Sequence, residues 1–264
     1  MNFQKTFIGR PNTVRLYNSL YNHWISPYVE KEKLNSNSIY FFLDLWQNAE
    51  LSPQTVKILT RVFKRYLEFH NVPVTNFKQI SRNTARACKQ TTPKSLDKDQ
   101  ATKLLKTCKE IDSSFYLFLL MGLHTGMRRG ELLGLQFGDV DLLKGKIHVS
   151  RSYNGPTKSG LKRIVPISKE LEKALLNVYN FSMREDERIF PTSDPNPTLE
   201  YLCKRANIPR ITTHGMRHTY CTLALESGMS PRKVADIVGH TNVSTTLDIY
   251  WSNIHNEVDL DFLP

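Results

Sequence analysis

Apolar residues recur at helical spacing through the first seventy positions. Val14, Tyr17, Leu20, Tyr21, Trp24, Ile25 and Tyr28 form one stripe, and Ile39, Phe42, Leu45 and Trp46 repeat it after Ser38. A third helix opens with Ser52 as N-cap and Pro53 in the first turn, and carries Val56, Leu59, Phe63, Tyr66, Leu67 and His70 on one face. Its other face shows Lys57, Arg61, Lys64 and Arg65. A short fourth helix is expected over Asn83–Cys88. Aromatic residues at this spacing make a packed core rather than a base-stacking platform. The polar, proline-containing run Gln90-Thr-Thr-Pro93-Lys94 breaks the periodicity and reads as a linker. The pattern thus divides the chain into an all-helical segment at 1–89, a linker at 90–94 and a second domain at 95–264.

The second domain mixes periods. A helix is expected from about Ser95–Asp97, and Phe115–Leu123 is apolar on nearly every side, too short to span a bilayer and suited to a central buried helix. Gly126 can turn the chain so that Arg128 stands at the start of the next helix. Residues 146–150 and 162–167 have β character, and the turn-rich Asn154–Gly160 between them predicts a hairpin with Lys158 near its tip. Helices are expected at 168–181 and 196–206. Three more follow: one capped by Thr213, one opened by Ser230 and Pro231, and one after Ser244 or Thr245 that carries Tyr250. The fold class is therefore mainly α with a small antiparallel sheet. The tail holds Val258, Leu260, Phe262 and Leu263, too short to fold alone.

Charge narrows the partners. The formal net charge is +11, and it is uneven: 13 Lys and Arg stand against 5 Asp and Glu up to residue 92, and 23 against 20 beyond. Such an excess points to a polyanion, double-stranded DNA before a membrane surface. Without a long N-terminal apolar run, a cytoplasmic location is expected. Cys88, Cys108, Cys203 and Cys221 lack C-x-x-C spacing, which argues against zinc and against a disulfide framework. His214 and His218 have a zinc-like i, i+4 spacing, but Arg217 between them would repel a cation, so no metal is expected.

Chemistry concentrates in T-G-M-R128-R-G-E131-L-L-G-L, T-K158, H214-G-M-R217-H-T, G-H240 and Y250. Together these resemble the tyrosine recombinase family of phage and mobile-element integrases, over at least residues 95–250. The N-terminal helices look like the family's core-binding domain, and no arm-binding domain is visible before residue 12. The resemblance implies that Arg128 and Arg217 hold the scissile phosphate, with Glu131 supporting Arg128. It makes Tyr250 the nucleophile that forms a 3′-phosphotyrosyl bond and Lys158 the general acid for the leaving 5′-oxygen. His214 becomes a proton acceptor and His240 a phosphate hydrogen-bonding group. Arg129 competes with Arg128, and Lys162 with Lys158; which histidine moves the proton stays open. Forked guanidiniums can neutralise a phosphoryl-transfer transition state where other enzymes use metal, so neither metal nor ATP nor another cofactor is expected. The implied activity is site-specific strand exchange through a Holliday junction, by a homotetramer with a dimer on each DNA site. Lys57, Arg61, Lys64, Arg65 and Lys94 are the candidate DNA-backbone contacts. The alternatives are a type IB topoisomerase of shared chemistry and a catalytically inactive DNA-binding factor.

Overall fold

A computed structural model of the chain describes residues 3–29, 34–35, 37–73, 95–157, 160, 162–178, 184–190 and 194–251. It divides into two compact units, Met1–Thr91 and Thr92–Pro264. The expected helix at 83–88, the linker at 90–94 with Lys94, Lys158 at the hairpin tip and the tail beyond residue 251 lie outside the described residues.

In the first unit, α1 (Pro11–Trp24), α2 (Ser26–Val29), α3 (Ser38–Asn48) and α4 (Pro53–Phe69) follow the apolar stripes closely. Ser52 caps α4 as expected, its side chain accepting the Thr55 N–H at 3.2 Å. The stripes meet in an aromatic core. The Phe42 and Phe63 rings lie 4.2 Å apart between centroids, and the buried Trp46 indole donates to the Trp24 carbonyl. Truncating a ring such as Phe63 in a core of this kind costs about 3–5 kcal/mol.

The second unit opens with α5 (Lys98–Ile111), capped by Asp97, and continues through the buried α6 (Ser113–Thr125). The backbone amide of Leu96 donates to the buried Thr219 hydroxyl, tying the start of this unit to its later half. A three-stranded antiparallel sheet, in the order β1 (Val140–Asp141), β2 (Lys146–Val149), β5 (Arg163–Pro166), is accompanied by the two-residue pair β3 (Arg151–Ser152) and β4 (Gly155–Pro156). The register Ile147↔Val165 and Val149↔Arg163 is the hairpin the sequence predicts. It puts Arg163 on the same inward face as the buried Val165. The remaining helices are α7 (Arg129–Gly134), α8 (Lys169–Leu176), α9 (Asn196–Arg205), α10 (Thr213–Glu226), α11 (Pro231–Val238) and α12 (Val243–Trp251).

Three expectations about helix ends need correction. The cap of α10 is Thr212, whose hydroxyl accepts from Gly215 N, and Thr213 is the first helical residue with its N–H given to Asn196. Two adjacent threonines offer the same chemistry, and the second is taken up by packing. The turn before α12 is secured by Asn242, whose side chain accepts from Ser244 N, so the helix begins at Val243 ahead of both expected caps. The helix expected over 168–181 is shorter, Lys169–Leu176, with Ser168 as N-cap.

Candidate active site

The α6–α7 corner sets the first part of the site. Gly126 has φ +59, and a Cβ there would lie 2.7 Å from both Tyr220 and Val238, so glycine is required by backbone and by space. The corner brings Arg128 to the N-cap position of α7. Its backbone N–H donates to Glu131 Oε2 at 2.9 Å, and its guanidinium donates to Glu131 Oε1 at 2.9 Å and to the Gly239 carbonyl at 2.8 Å. Arg129, the competing position, points outward to an exposed ion pair with Asp194.

Glu131 is only 2% exposed and carries a second arginine that the sequence reading passed over. Arg163 donates to both carboxylate oxygens, at 3.0 and 2.7 Å, and its Nε donates to the Ile237 carbonyl at 2.7 Å. Burial pushes the Glu131 carboxyl upward, but the hydrogen bonds and charges of Arg163, then of Arg128, overcome it and leave the pKa below its ordinary value. The carboxylate stays ionised and orients both guanidiniums.

Arg217 is held differently. It is 1% exposed on α10, and one nitrogen, Nη1, donates to the carbonyls of Gly126 and Val238 at 2.8 and 2.6 Å. Its Nη2 is buried with no hydrogen-bond partner among the described residues. Burial, and next the charge of Arg128, lower its pKa to about 9. The guanidinium is thus charged at neutral pH, buried and short of an acceptor among the described residues. A buried donor without an acceptor is costly, and an anion is the group that satisfies it.

The histidines surround this cation. His240 follows the left-handed Gly239 that ends α11, and its Nδ1 is 2.8 Å from the Thr246 hydroxyl. When Thr246 donates, Nε2 carries the proton and becomes a donor. Burial, followed by Arg217 and Arg128, pushes the His240 pKa down to about 3, so the ring is neutral. His218 is buried, edge-on to His214 with centroids 4.4 Å apart, and its Nδ1 has no partner among the described residues. Burial, then His214 and Arg217, lower its pKa to about 4. His214 is exposed at the start of α10.

Tyr250 lies on α12, four residues after Thr246, so the two share a helix face. The Thr246–His240 bond therefore turns the tyrosine-bearing face toward the histidine. Ile249 anchors the same helix by packing with Cys221, Ala224, Val234 and Val238. Arg128, His214, Arg217, His240 and Glu131 are electrostatically coupled in one cluster. Lys158 is outside the described residues, and Lys162, its competitor, is exposed just before β5.

The proposed DNA-backbone residues of α4 separate into two groups. Lys57 and Arg61 are exposed, and Lys64 makes a 3.4 Å i, i+4 ion pair with Glu68. Arg65 departs from the expectation of a free basic face. It donates to the Thr6 carbonyl at 2.9 Å and stands over the Phe7 ring, because the N-terminal turn folds back onto α4.

The phage integrase family model matches residues 94–257, well over half the chain. The chain belongs to the phage integrase family. Among relatives of this family member, a tyrosine recombinase XerA from Thermococcus onnurineus is 27% identical over 248 residues, covering 89% of this chain and 83% of the relative. A transposase from transposon Tn916 of Enterococcus faecalis is 30% identical over 197 residues, covering 61% of this chain and 48% of its own length. In fold, the family member resembles the Tn1549 transposon integrase solved with transposon right end DNA, with a TM-score of 0.75 at 20% identity over 97% of this chain and 93% of that one. A lambda integrase dimer bound to a core site gives 0.76 at 15% identity, over 98% and 78%. This integrase-family chain is a site-specific DNA recombinase, an enzyme that breaks and rejoins DNA. No described helix is long and apolar enough to cross a membrane.

Proposed function

We propose that the chain exchanges DNA strands at specific duplex sites through attack of Tyr250 on a phosphate held by Arg128 and Arg217. The buried Arg217 Nη2 without an acceptor carries this reading, because it leaves a directed positive donor where a non-bridging phosphate oxygen can complete it. His240, neutral and with Nε2 free to donate, adds a hydrogen bond to that phosphate. His214 takes the tyrosine proton, and Lys158 protonates the departing 5′-oxygen. The 3′-phosphotyrosyl ester conserves the diester energy, so rejoining to a new 5′-hydroxyl needs no nucleotide cofactor. Two successive exchanges pass through a Holliday junction.

The N-terminal unit, 1–89, serves as the core-type DNA-binding domain. Lys57, Arg61, Lys64 and Lys94 make backbone contacts, and residues 90–94 join this unit to the catalytic domain at 95–264. Arg65 shapes this unit from within. The working assembly is a homotetramer with a dimer on each site, docked through the tail at Val258–Leu263, and it acts in the cytoplasm on DNA. The named DNA complexes of fold relatives support duplex binding.

The test is incubation with nicked duplexes drawn from the DNA flanking the gene, resolved under denaturing conditions. A covalent protein–DNA adduct that disappears in Tyr250→Phe is expected. An adduct retained in Tyr250→Phe overturns the assignment of the nucleophile. Site-independent relaxation of supercoils by the wild-type monomer would replace strand exchange with a topoisomerase reading.

A further inference from the structure

Arg163 has no place in the reaction described above, yet it is among the most completely engaged side chains near the site. Its side chain is 8% exposed. The fork grips both oxygens of Glu131, and Nε reaches across to the Ile237 carbonyl on α11. The left-handed Gly239 sits directly against it, since a Cβ there would come within 3.1 Å of the guanidinium. Gly239 also offers its carbonyl to Arg128 and precedes His240. Three pieces of the site therefore converge on this one strand residue: the carboxylate behind Arg128, the end of the helix before His240, and β5 itself. Arg163 stands five positions after Lys158 in the sequence.

We infer that Arg163 is a positioning residue for strand cleavage, acting through Glu131 on Arg128 and through Ile237 on the turn that carries His240. The physical reason is the division of labour around Glu131. A single carboxylate facing Arg128 alone could swing with it, and Arg128 is more exposed than Arg163. With Arg163 fixing both oxygens in plane, the carboxylate presents a fixed edge to Arg128. Lysine keeps the charge but supplies no fork, so it can hold neither both oxygens in plane nor the Ile237 carbonyl at the same time. Misplacing a phosphate-binding group by about 1 Å can cost roughly 100-fold in rate.

The inference rests on the proposed roles of Arg128 and Tyr250, and the experiment separates the two. Single-turnover cleavage of a nicked duplex from the flanking DNA is measured at saturating DNA for the full chain and for Arg163→Lys, Arg128→Lys and the double variant. Thermal midpoints and gel-shift affinities accompany each rate. Arg163→Lys is expected to bind DNA within about twofold of wild type and to cleave roughly 10–100-fold more slowly. Because part of its effect passes through Arg128, the loss in the double variant should be smaller than the product of the two single losses, a non-additivity that a merely structural role would not produce. Arg163→Met, which removes fork and charge together, should be slower again than Arg163→Lys if it folds. The lysine variant decides the matter whether or not methionine is tolerated. A wild-type rate in Arg163→Lys, or losses that multiply in the double variant, overturns the inference. A wild-type rate in Arg128→Lys instead overturns the reading of the site on which it rests.

Discussion

The two arginines proposed to hold the phosphate are built on opposite principles. Arg128 is paired with a buried carboxylate and a carbonyl, and that carboxylate is itself fixed by Arg163. Arg217 is more deeply buried, has no described carboxylate as an ion-pair partner, and keeps one nitrogen unpartnered. The first arrangement spends charge on geometry: the guanidinium is aimed, but much of its field is already neutralised. The second keeps field in reserve and is aimed by two carbonyl groups. The contrast teaches that one arginine of the pair is supported by a carboxylate of the folded enzyme itself, while the other keeps a donor that, in the proposed function, a DNA phosphate completes.

The comparison is broken most directly by removing the shared carboxylate. Glu131→Gln leaves two guanidiniums facing an amide that is uncharged and offers one acceptor oxygen. Losing one partner of a buried ionic network typically costs about 3–5 kcal/mol. At roughly 2–4 °C per kcal/mol for a unit of this size, thermal unfolding should move down by about 6–20 °C. Arg217→Met is the counterpart. It removes an uncompensated buried charge while leaving the Gly126 and Val238 carbonyls without that donor, two terms of opposite sign. Its midpoint should therefore move less than that of Glu131→Gln. Cleavage should nevertheless fall about 10²–10³-fold, the usual cost of losing one transition-state donor. A larger midpoint loss in Arg217→Met than in Glu131→Gln would show that Arg217 is held for stability and would end the contrast.

Acid sharpens the same comparison. His240 and His218 have folded pKa values of about 3 and about 4, against an ordinary 6.5. Below about pH 6.5 the unfolded chain binds protons that the folded site refuses, so their contribution is complete above 6.5 and declines toward pH 4. Glu131 is also lowered from its ordinary 4.5, so its contribution is complete above that value and is lost as pH falls through its folded pKa. All three act in one direction. Thermal midpoints followed from pH 7 to 4 should fall, and His240→Gln or His218→Gln should each flatten part of that slope. A wild-type midpoint that stays level between pH 6.5 and 4 would mean that these rings already accept protons in the folded site.

Much of this was legible in the sequence, and the exceptions have physical causes. The T-G-x-R spacing separates Arg128 from Arg129 because Gly126 alone tolerates the left-handed turn that aims the next-but-one residue inward. The helical stripes of the first unit translate directly into core because local period and burial agree there. Arg163 was missed because K-R-I-V-P-I reads as an apolar strand with two basic residues in front. Alternation held the missing signal: Val165 is buried, Ile164 is 52% exposed, and period two then puts Arg163 inside. An arginine on an inward strand face demands a buried acid, and Glu131 was available. Arg65 differs from its neighbours for the converse reason. Helical phase places it beside Lys64 and Arg61, and only the fold-back of Phe7 reveals that its guanidinium is engaged.

That last distinction yields the smallest predicted effect. Lys57 is exposed on α4, whereas Arg65 is bonded to Thr6 and lies over Phe7. If Lys57 neutralises one phosphate, Lys57→Ala should weaken duplex binding for every sequence alike. It should also reduce the slope of log affinity against log salt by about 1, without changing the thermal midpoint. Arg65→Ala should do the reverse. Losing a charged hydrogen bond and a ring contact at a partly buried position costs on the order of 1 kcal/mol, while the salt slope stays put. The two are read from the same pair of titrations, gel-shift affinity across a salt series and thermal unfolding. A lowered salt slope in Arg65→Ala would return that residue to the DNA-facing set, and an unchanged slope in Lys57→Ala would remove Lys57 from it. Either result would redraw which charges this chain keeps for itself and which it holds out to DNA.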